Sequence, residues 1–232
     1  MIKAVIFDFD HTLYDRKISL KKTVPFLMTG LKEYLRKDLT AEEFTAALLE
    51  AETSEAGYYT NGYPGVCAEL DRLGVFAKKP ADDDYRAIFY HAFNNGITPF
   101  PDAYKTLEAL RNMGYKVALL TNGFTAIQLE KLSFTKVPEY MDEIVVSQQV
   151  GKSKPHPLPF ITICRKLGIH TDEAVYVGDN IFCDVCGARG AGMKTVWKPF
   201  ARTWPEDLAA PDFIINHLSE LPAIVQKIAQ EN

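Results

Sequence analysis

Two aspartates separated by one residue close an apolar run near the start of the chain, Ile2-Lys3-Ala4-Val5-Ile6-Phe7 leading into Asp8-Phe9-Asp10-His11-Thr12-Leu13. In extended chain, residues two apart share a side, so Asp8 and Asp10 face one way and Phe9 the other. Carboxylates that close resist joint ionisation unless positive charge lies between them. Mg²⁺, a cation that prefers hard oxygen ligands, answers that requirement. The pair reads as catalytic.

Three later segments carry groups that complement it. In the first, Val117-Ala118-Leu119-Leu120 ends on Thr121-Asn122-Gly123, a hydroxyl and turn N–H groups ahead of a helix, suited to phosphate oxygens. The plain alternative is a turn and cap. In the second, Gly151-Lys152-Ser153-Lys154-Pro155 supplies a cation for phosphate or for Asp8. Lys154 is preferred over Lys152 because Pro155 restrains its backbone, the alternative being a solvated loop lysine. In the third, Val175-Tyr176-Val177-Gly178 delivers Asp179 and Asn180, with Asp184 early in the next helix. Gly178 permits close backbone approach, and the alternative is that Asp179 or Asn180 only caps that helix. Taken together, four such segments in order weigh more than any one alone.

These groups need strands to deliver them. Apolar segments at 2–8, 115–121, 143–147, 174–178, 193–197 and 212–215 read as strands, with helical periodicity between them. Leu107, Leu110 and Met113 form one apolar helix face, and Phe160, Ile161, Cys164 and Leu167 another. Strands alternating with helices imply an α/β domain with a Rossmann-like parallel sheet. Residues 16–97 break the rhythm with helical stretches at about 17–37, 41–56, 64–74 and 82–95, the second opening on a Thr40/Glu43 capping box. The expected organisation is a core of 1–15 and 98–232 with a helical cap at 16–97, a lid over the carboxyl end of the sheet.

Bulk properties narrow the partners. The 232 residues carry a net charge of −4, with 47% hydrophobic and 24% charged residues. No basic surface points to a nucleic-acid polymer or an anionic membrane. No apolar run reaches the roughly 18 residues of a membrane span, and no secretory signal precedes the first strand, so a cytoplasmic protein is expected. Cys183 and Cys186 match C-x-x-C, but no second ligand pair accompanies them, so packing is expected rather than zinc or redox chemistry. Oligomeric state has no signature in the sequence.

The ordered set Asp8-x-Asp10-x-Thr12, Thr121, Lys154 and Asp179 to Asp184 resembles the four motifs of the haloacid dehalogenase-like hydrolase superfamily. The resemblance covers the sheet domain, and the insert sits where that superfamily carries its first-type cap. Thr121 to Thr125 with Gln128, Gly178 to Gly187 and Ala188 to Gly192 are similar to its nucleotidase-like and N-acylneuraminate-9-phosphatase-like branches. The resemblance implies Asp8 as nucleophile through an aspartyl-phosphate, and Asp10 as the acid that protonates the leaving alkoxide and later activates water. It implies Mg²⁺ held by the Asp8 carboxylate, the Asp10 main-chain carbonyl and Asp179. Thr121, Asn122 and Lys154 would bind phosphate. Asp184 and Asn180 would support, Asp184 by orienting water or pairing with Lys154. Asp10 favours a phosphatase over a dehalogenase, because halide leaves without a proton and an alkoxide does not.

The implied substrate is a small phosphorylated metabolite. Alternatives are a nucleoside 5′-monophosphate, a phosphomutase reaction on the same motifs, and a non-catalytic binding module. Tyr58, Tyr59, Asn61 and Tyr63 face a base or sugar, or form a loop of packed tyrosines; Trp197, Phe200, Arg202 and Trp204 pose the same question. His11 is read as a packing or surface residue.

Overall fold

The computed structural model describes residues 1–200 and 203–231 and divides into two compact units, Met1–Asp15 with Pro99–Asn232, and Arg16–Thr98. The first is an α/β unit built on six parallel strands: β1 (Ala4–Phe7), β2 (Lys116–Thr121), β3 (Glu143–Val146), β4 (Ala174–Gly178), β5 (Lys194–Trp197) and β6 (Phe213–Ile214). Their order is β3-β2-β1-β4-β5-β6, so successive strands step away from β1 to one side and then to the other. β1 is paired on both edges and all four of its residues are buried, which is why it reads as a continuous apolar run rather than an alternating one.

One face of the sheet packs on Phe160, Ile163, Cys164 and Leu167 of a helix that follows the lysine loop. Ile163 is the buried position there, and Ile161, expected on that face, is half-buried. Leu107 and Leu110 are buried as expected, while Met113 lies past the helix end and is half-buried.

The second unit consists of α1 (Arg16–Gly30), α2 (Ala41–Thr53), α3 (Tyr58–Arg72) and α4 (Asp82–Gly96). The Thr40/Glu43 capping box opens α2. Two boundaries differ from the periodicity reading. α1 stops at Gly30 because Tyr34 to Arg36 pair instead with the chain around Phe76, Arg36 N–H donating to Val75 O and Ala77 N–H to Tyr34 O. Leu31 and Leu35 keep helical spacing, so only that long-range pairing reveals the break. α3 begins at Tyr58 and is bent at Gly62, whose φ of 62° is open to glycine at little cost. The glycines and Pro64 there mark a break at Gly62, where the backbone leaves helical geometry between two helical pieces.

Inside this unit Arg16 and Glu52 form a buried pair, Nε and Nη2 of Arg16 each 3.0 Å from a carboxylate oxygen. The Arg16 guanidinium lies 4.1 Å from the Tyr58 ring centre. Burial raises the Glu52 pKa although Arg16 opposes it. Among the described residues no helix is long and apolar enough to cross a membrane.

The α/β unit adds α5 (Ala103–Asn112), α6 (Thr125–Ser133), α7 (Ser147–Val150), α8 (Pro157–Leu167), α9 (Gly187–Gly190) and α10 (Leu221–Glu231). A π-helical turn, Ile181–Cys186, leads into α9.

Candidate active site

Strand register brings the chemistry to one edge. Phe7 pairs with Leu119 on β2 and with Val177 on β4, so the residues just beyond these strands emerge side by side. This is the point where strand order reverses, the usual ligand crevice of an open parallel sheet. Asp8 N–H donates to Val177 O at 2.9 Å, which carries the pairing up to the carboxylate itself.

Lys154 is the hub. It is buried, whereas Lys152 two residues earlier is exposed. Its Nζ lies 2.7 Å from Asp8 Oδ1, 2.7 Å from Asp184 Oδ1, 2.8 Å from the Tyr176 hydroxyl and 3.0 Å from Leu120 O. The loop is held inward by the Asn122 side chain, whose Oδ1 accepts from Lys154 N–H at 2.9 Å and whose Nδ2 donates to Lys154 O at 3.0 Å. Burial alone would lower the Lys154 pKa, but Asp184 and Asp8 raise it well above its ordinary value, so the amine stays charged.

Asp179 and Asp184 arrive from the end of β4. One oxygen each from Asp8, Asp179 and Asp184 lies within 4.8 Å of the others, and all three residues are buried. Asp184 Oδ2 also accepts from Asn180 N–H at 2.9 Å, and Asn180 caps the following turn by accepting from Phe182 and Cys183 N–H. Gly178 is required by proximity: a Cβ there would sit 2.5 Å from the Asp184 carboxylate.

Asp10 faces a different set of groups. Its Oδ1 accepts from the Tyr14 hydroxyl at 2.5 Å and from Lys131 Nζ, and its Oδ2 accepts from Gln128 Nε2 at 2.9 Å. Gln128 Nε2 also reaches Thr121 Oγ1 at 2.9 Å and Asn122 O at 2.7 Å. Lys131 and Tyr14 had no signal in the sequence, since a lysine in a surface-patterned helix and an aromatic after a strand look ordinary.

The two aspartates titrate in opposite directions. Asp8 is pushed up to about 7, by burial first, against Lys154 and with help from Asp184 and Asp10. Burial also raises Asp10, but Lys131, Gln128 and Tyr14 outweigh it and hold the carboxyl well below the usual range.

Of the remaining sequence candidates, the described aromatic ones pack on other aromatic or apolar groups. Trp197 Nε1 donates to Asp179 O at 2.8 Å, and its ring packs on Ile181, Val185 and Trp204. His11 stacks on Phe200 at 4.3 Å between ring centres. Tyr63 is half-buried among Tyr58, Phe89 and Tyr90. The Asn61 amide donates to Ala56 O. Arg202 and the side chain of Tyr59 lie outside the described residues.

A parallel sheet with buried carboxylates and a lysine at its switch point defines a hydrolase-like site, and the comparisons agree. The model of the family described as haloacid dehalogenase-like hydrolase matches residues 5–198. The chain belongs to this family, and its place in it is with the phosphatases. It is 33% identical over 239 residues to a glyceraldehyde 3-phosphate phosphatase from Methanopyrus kandleri, covering 100% of both chains. It is 33% identical over 234 residues to the pyrimidine 5′-nucleotidase YjjG of Escherichia coli, covering 96% of this chain and 97% of that one. A solved HAD phosphatase from Thermococcus onnurineus superposes with a TM-score of 0.61 at 27% identity, covering 97% and 98% of the two chains.

Proposed function

We propose that this enzyme is a Mg²⁺-dependent phosphatase of a small phosphorylated metabolite, working through an aspartyl-phosphate on Asp8. The observation that carries the reading is the separation of two carboxylates two residues apart: Asp8 lies in the lysine and aspartate cluster, and Asp10 lies against its own donors. One group is placed to bond phosphorus and the other to handle protons.

Asp8 Oδ1 is engaged by Lys154, while Oδ2 has, among the described residues, the Thr12 hydroxyl at 3.3 Å, which leaves Oδ2 to attack. As the Oδ2–phosphorus bond forms, the bond to the leaving oxygen breaks and Asp10 passes that oxygen a proton. Asp10 then takes a proton from water, whose oxygen bonds phosphorus and frees Asp8 and inorganic phosphate. Thr121 and Lys154 hold the charge on the phosphoryl oxygens. The Asn122 side chain is spent on Lys154, so any phosphate contact from Asn122 comes from its main chain.

The donor set suits Mg²⁺: buried, hard carboxylate oxygens close enough to share one ion. The Asp8 carboxylate, the Asp10 main-chain carbonyl and Asp179 would hold it, with Asp184 and Asn180 in support. Bound there, the cation would neutralise phosphoryl charge and favour the ionised form of Asp8. A dianionic phosphate beside Asp10 pulls the other way and favours its protonated form.

A consequence is proton-linked metal binding. Asp8, at about 7 without metal, must lose its proton to ligate. Apparent Mg²⁺ affinity therefore rises with pH up to about 7 and levels off above it. Calorimetry in two buffers of different ionisation heat should show protons released near pH 6 and none near pH 9; equal heats at both would contradict this.

Asp10→Asn should lower kcat by about 10²–10⁴-fold with KM little changed. A proportional rise in KM instead would assign Asp10 to binding.

The helical unit enters the chain between β1 and β2, and we assign it the selection of substrate. The similarity to a three-carbon sugar phosphatase supports a small substrate, and the similarity to a nucleotidase supports a nucleoside 5′-monophosphate as the second reading. The first is favoured because Tyr58 and Tyr63 are engaged in packing within their own unit. A phosphate-release screen over three-carbon sugar phosphates, ribulose bisphosphate, phosphoglycolate, nucleoside monophosphates and pyrophosphate tests this. A flat, feeble profile would sink the proposal.

A further inference from the structure

The donors around Asp10 form a built arrangement with more parts than a resting ion pair needs. Gln128 and Lys131 are three residues apart on α6 and so share a face. Both are buried, although lysine and glutamine seldom are. The Lys131 ammonium sits at Asp10 Oδ1, 5.5 Å from the Phe9 ring centre and 5.7 Å from that of Tyr14. The Phe9 ring thereby forms one wall of the cation's pocket.

Gln128 is the more telling of the two. Its NH₂ faces three acceptors, Asp10 Oδ2, Thr121 Oγ1 and Asn122 O, while its Oε1 is buried with no hydrogen-bond partner among the described residues. Turning the amide over would set Oε1 against Asp10 and the Asn122 carbonyl, so the observed orientation is the only workable one. A buried carbonyl oxygen without a donor costs stability. The fold accepts that cost to tie the Asp10 carboxylate to the hydroxyl of Thr121.

We infer that α6 is the positioning element for proton transfer: Gln128 and Lys131 fix the Asp10 carboxyl, in register with Thr121, for delivery of a proton to the leaving oxygen. They are positioning residues and touch no reacting atom. The inference rests on the phosphatase reading above. In the first transfer the proton goes from Asp10 to the leaving oxygen as phosphorus moves to Asp8. In the second it goes from water to Asp10 as phosphorus moves from Asp8 to water. Neither half involves a proton on Lys131 or Gln128, so the same fixed geometry serves both.

Leaving-group dependence isolates this role. 4-Nitrophenolate departs without a proton, whereas an alkoxide needs one, and kcat/KM reports only the first transfer. The probes are 4-nitrophenyl phosphate and whichever alkyl phosphate is fastest in the screen above, each with saturating Mg²⁺. Lys131→Met should lower kcat/KM for the alkyl ester about 10²-fold and for the nitrophenyl ester less than about threefold. Asp10→Asn should show the same selectivity. An equal loss on both esters, or no loss on the alkyl ester, would overturn the positioning role. Should Lys131→Met no longer unfold cooperatively, Gln128→Met, close to it in shape, is judged by the same criterion. A wild-type enzyme that released phosphate from neither ester would remove the phosphatase reading itself, an outcome distinct from either of these.

Discussion

Asp8→Asn abolishes phosphate release, by about 10⁴-fold or more, with the fold retained. An amide oxygen is a far poorer nucleophile than a carboxylate oxygen, and neither Asp10 nor Asp184 stands in its place: Asp10 is held by Lys131, Gln128 and Tyr14, and Asp184 by Lys154 and Asn180. The stability of this variant carries its own signature. In chelator, Asp8 has a folded-state pKa of about 7, above its ordinary 3.8. The folded chain therefore binds this proton more tightly than the unfolded chain does. That contribution is complete below pH 4 and is lost as pH rises through 7. Asparagine does not titrate, so the melting temperature of Asp8→Asn relative to wild type should climb between pH 4 and pH 8. A constant difference across that range would mean that Asp8 is not held protonated by its surroundings. Residual turnover above about one part in 10³ would argue against the covalent route.

Lys154→Met has the largest expected effect on stability. Among the described residues the Lys154 ammonium is the one cation paired with Asp8 and Asp184, and both carboxylates are buried. Removing one partner of a buried pair costs about 3–5 kcal/mol, because the charge left behind has no compensation. For a chain of this size that lowers the melting temperature by about 6–20 °C. The loss should grow with pH, since Asp8 can escape it only by staying protonated. Activity should fall by about 10²–10³-fold through loss of a donor to the phosphoryl group. Lys152→Met, at an exposed position in the same loop, should change stability by less than about 0.5 kcal/mol and leave turnover unaltered. Combining Lys154→Met with Asp8→Asn should be less destabilising than the sum of the two, because one orphaned carboxylate is gone. Thermal melts of wild type and the four variants at pH 6 and pH 8 check the stability statements, and phosphate-release assays check the activity statements.

Much of the architecture is legible along the chain because burial on both faces leaves a parallel strand no polar alternation. All six strands fall where apolar runs predict them, and Asp8, Thr121 and Asp179 stand at or just past strand ends for that reason. The helical unit is less legible. Leu31 and Leu35 keep helical spacing beyond the end of α1, and only pairing with residues near Phe76 shows that the helix has ended. Gly62 and Pro64 do mark a break between helical pieces, but the first piece already begins at Tyr58, which their spacing does not announce. The Arg16–Glu52 pair joins residues 36 apart, and no local pattern announces it.

At the site, the sequence by itself determined which side chains are available and on which strand ends they fall. Alternation in extended chain would set Asp8 and Asp10 on one side, but β1 ends at Phe7 and Asp10 lies in the turn that follows, so the two meet different partners. Only the tertiary structure decided what each charge meets. It turned Lys154 inward and left Lys152 in solvent, through an Asn122 clamp 32 residues away. It placed Asp184 on Lys154, and it brought Lys131 to Asp10 across 121 residues. The physical reason is one of range. Periodicity and strand ends are set by neighbours in sequence, whereas desolvation and charge pairing depend on which distant segments pack together, and a lysine carries no mark of its eventual partner.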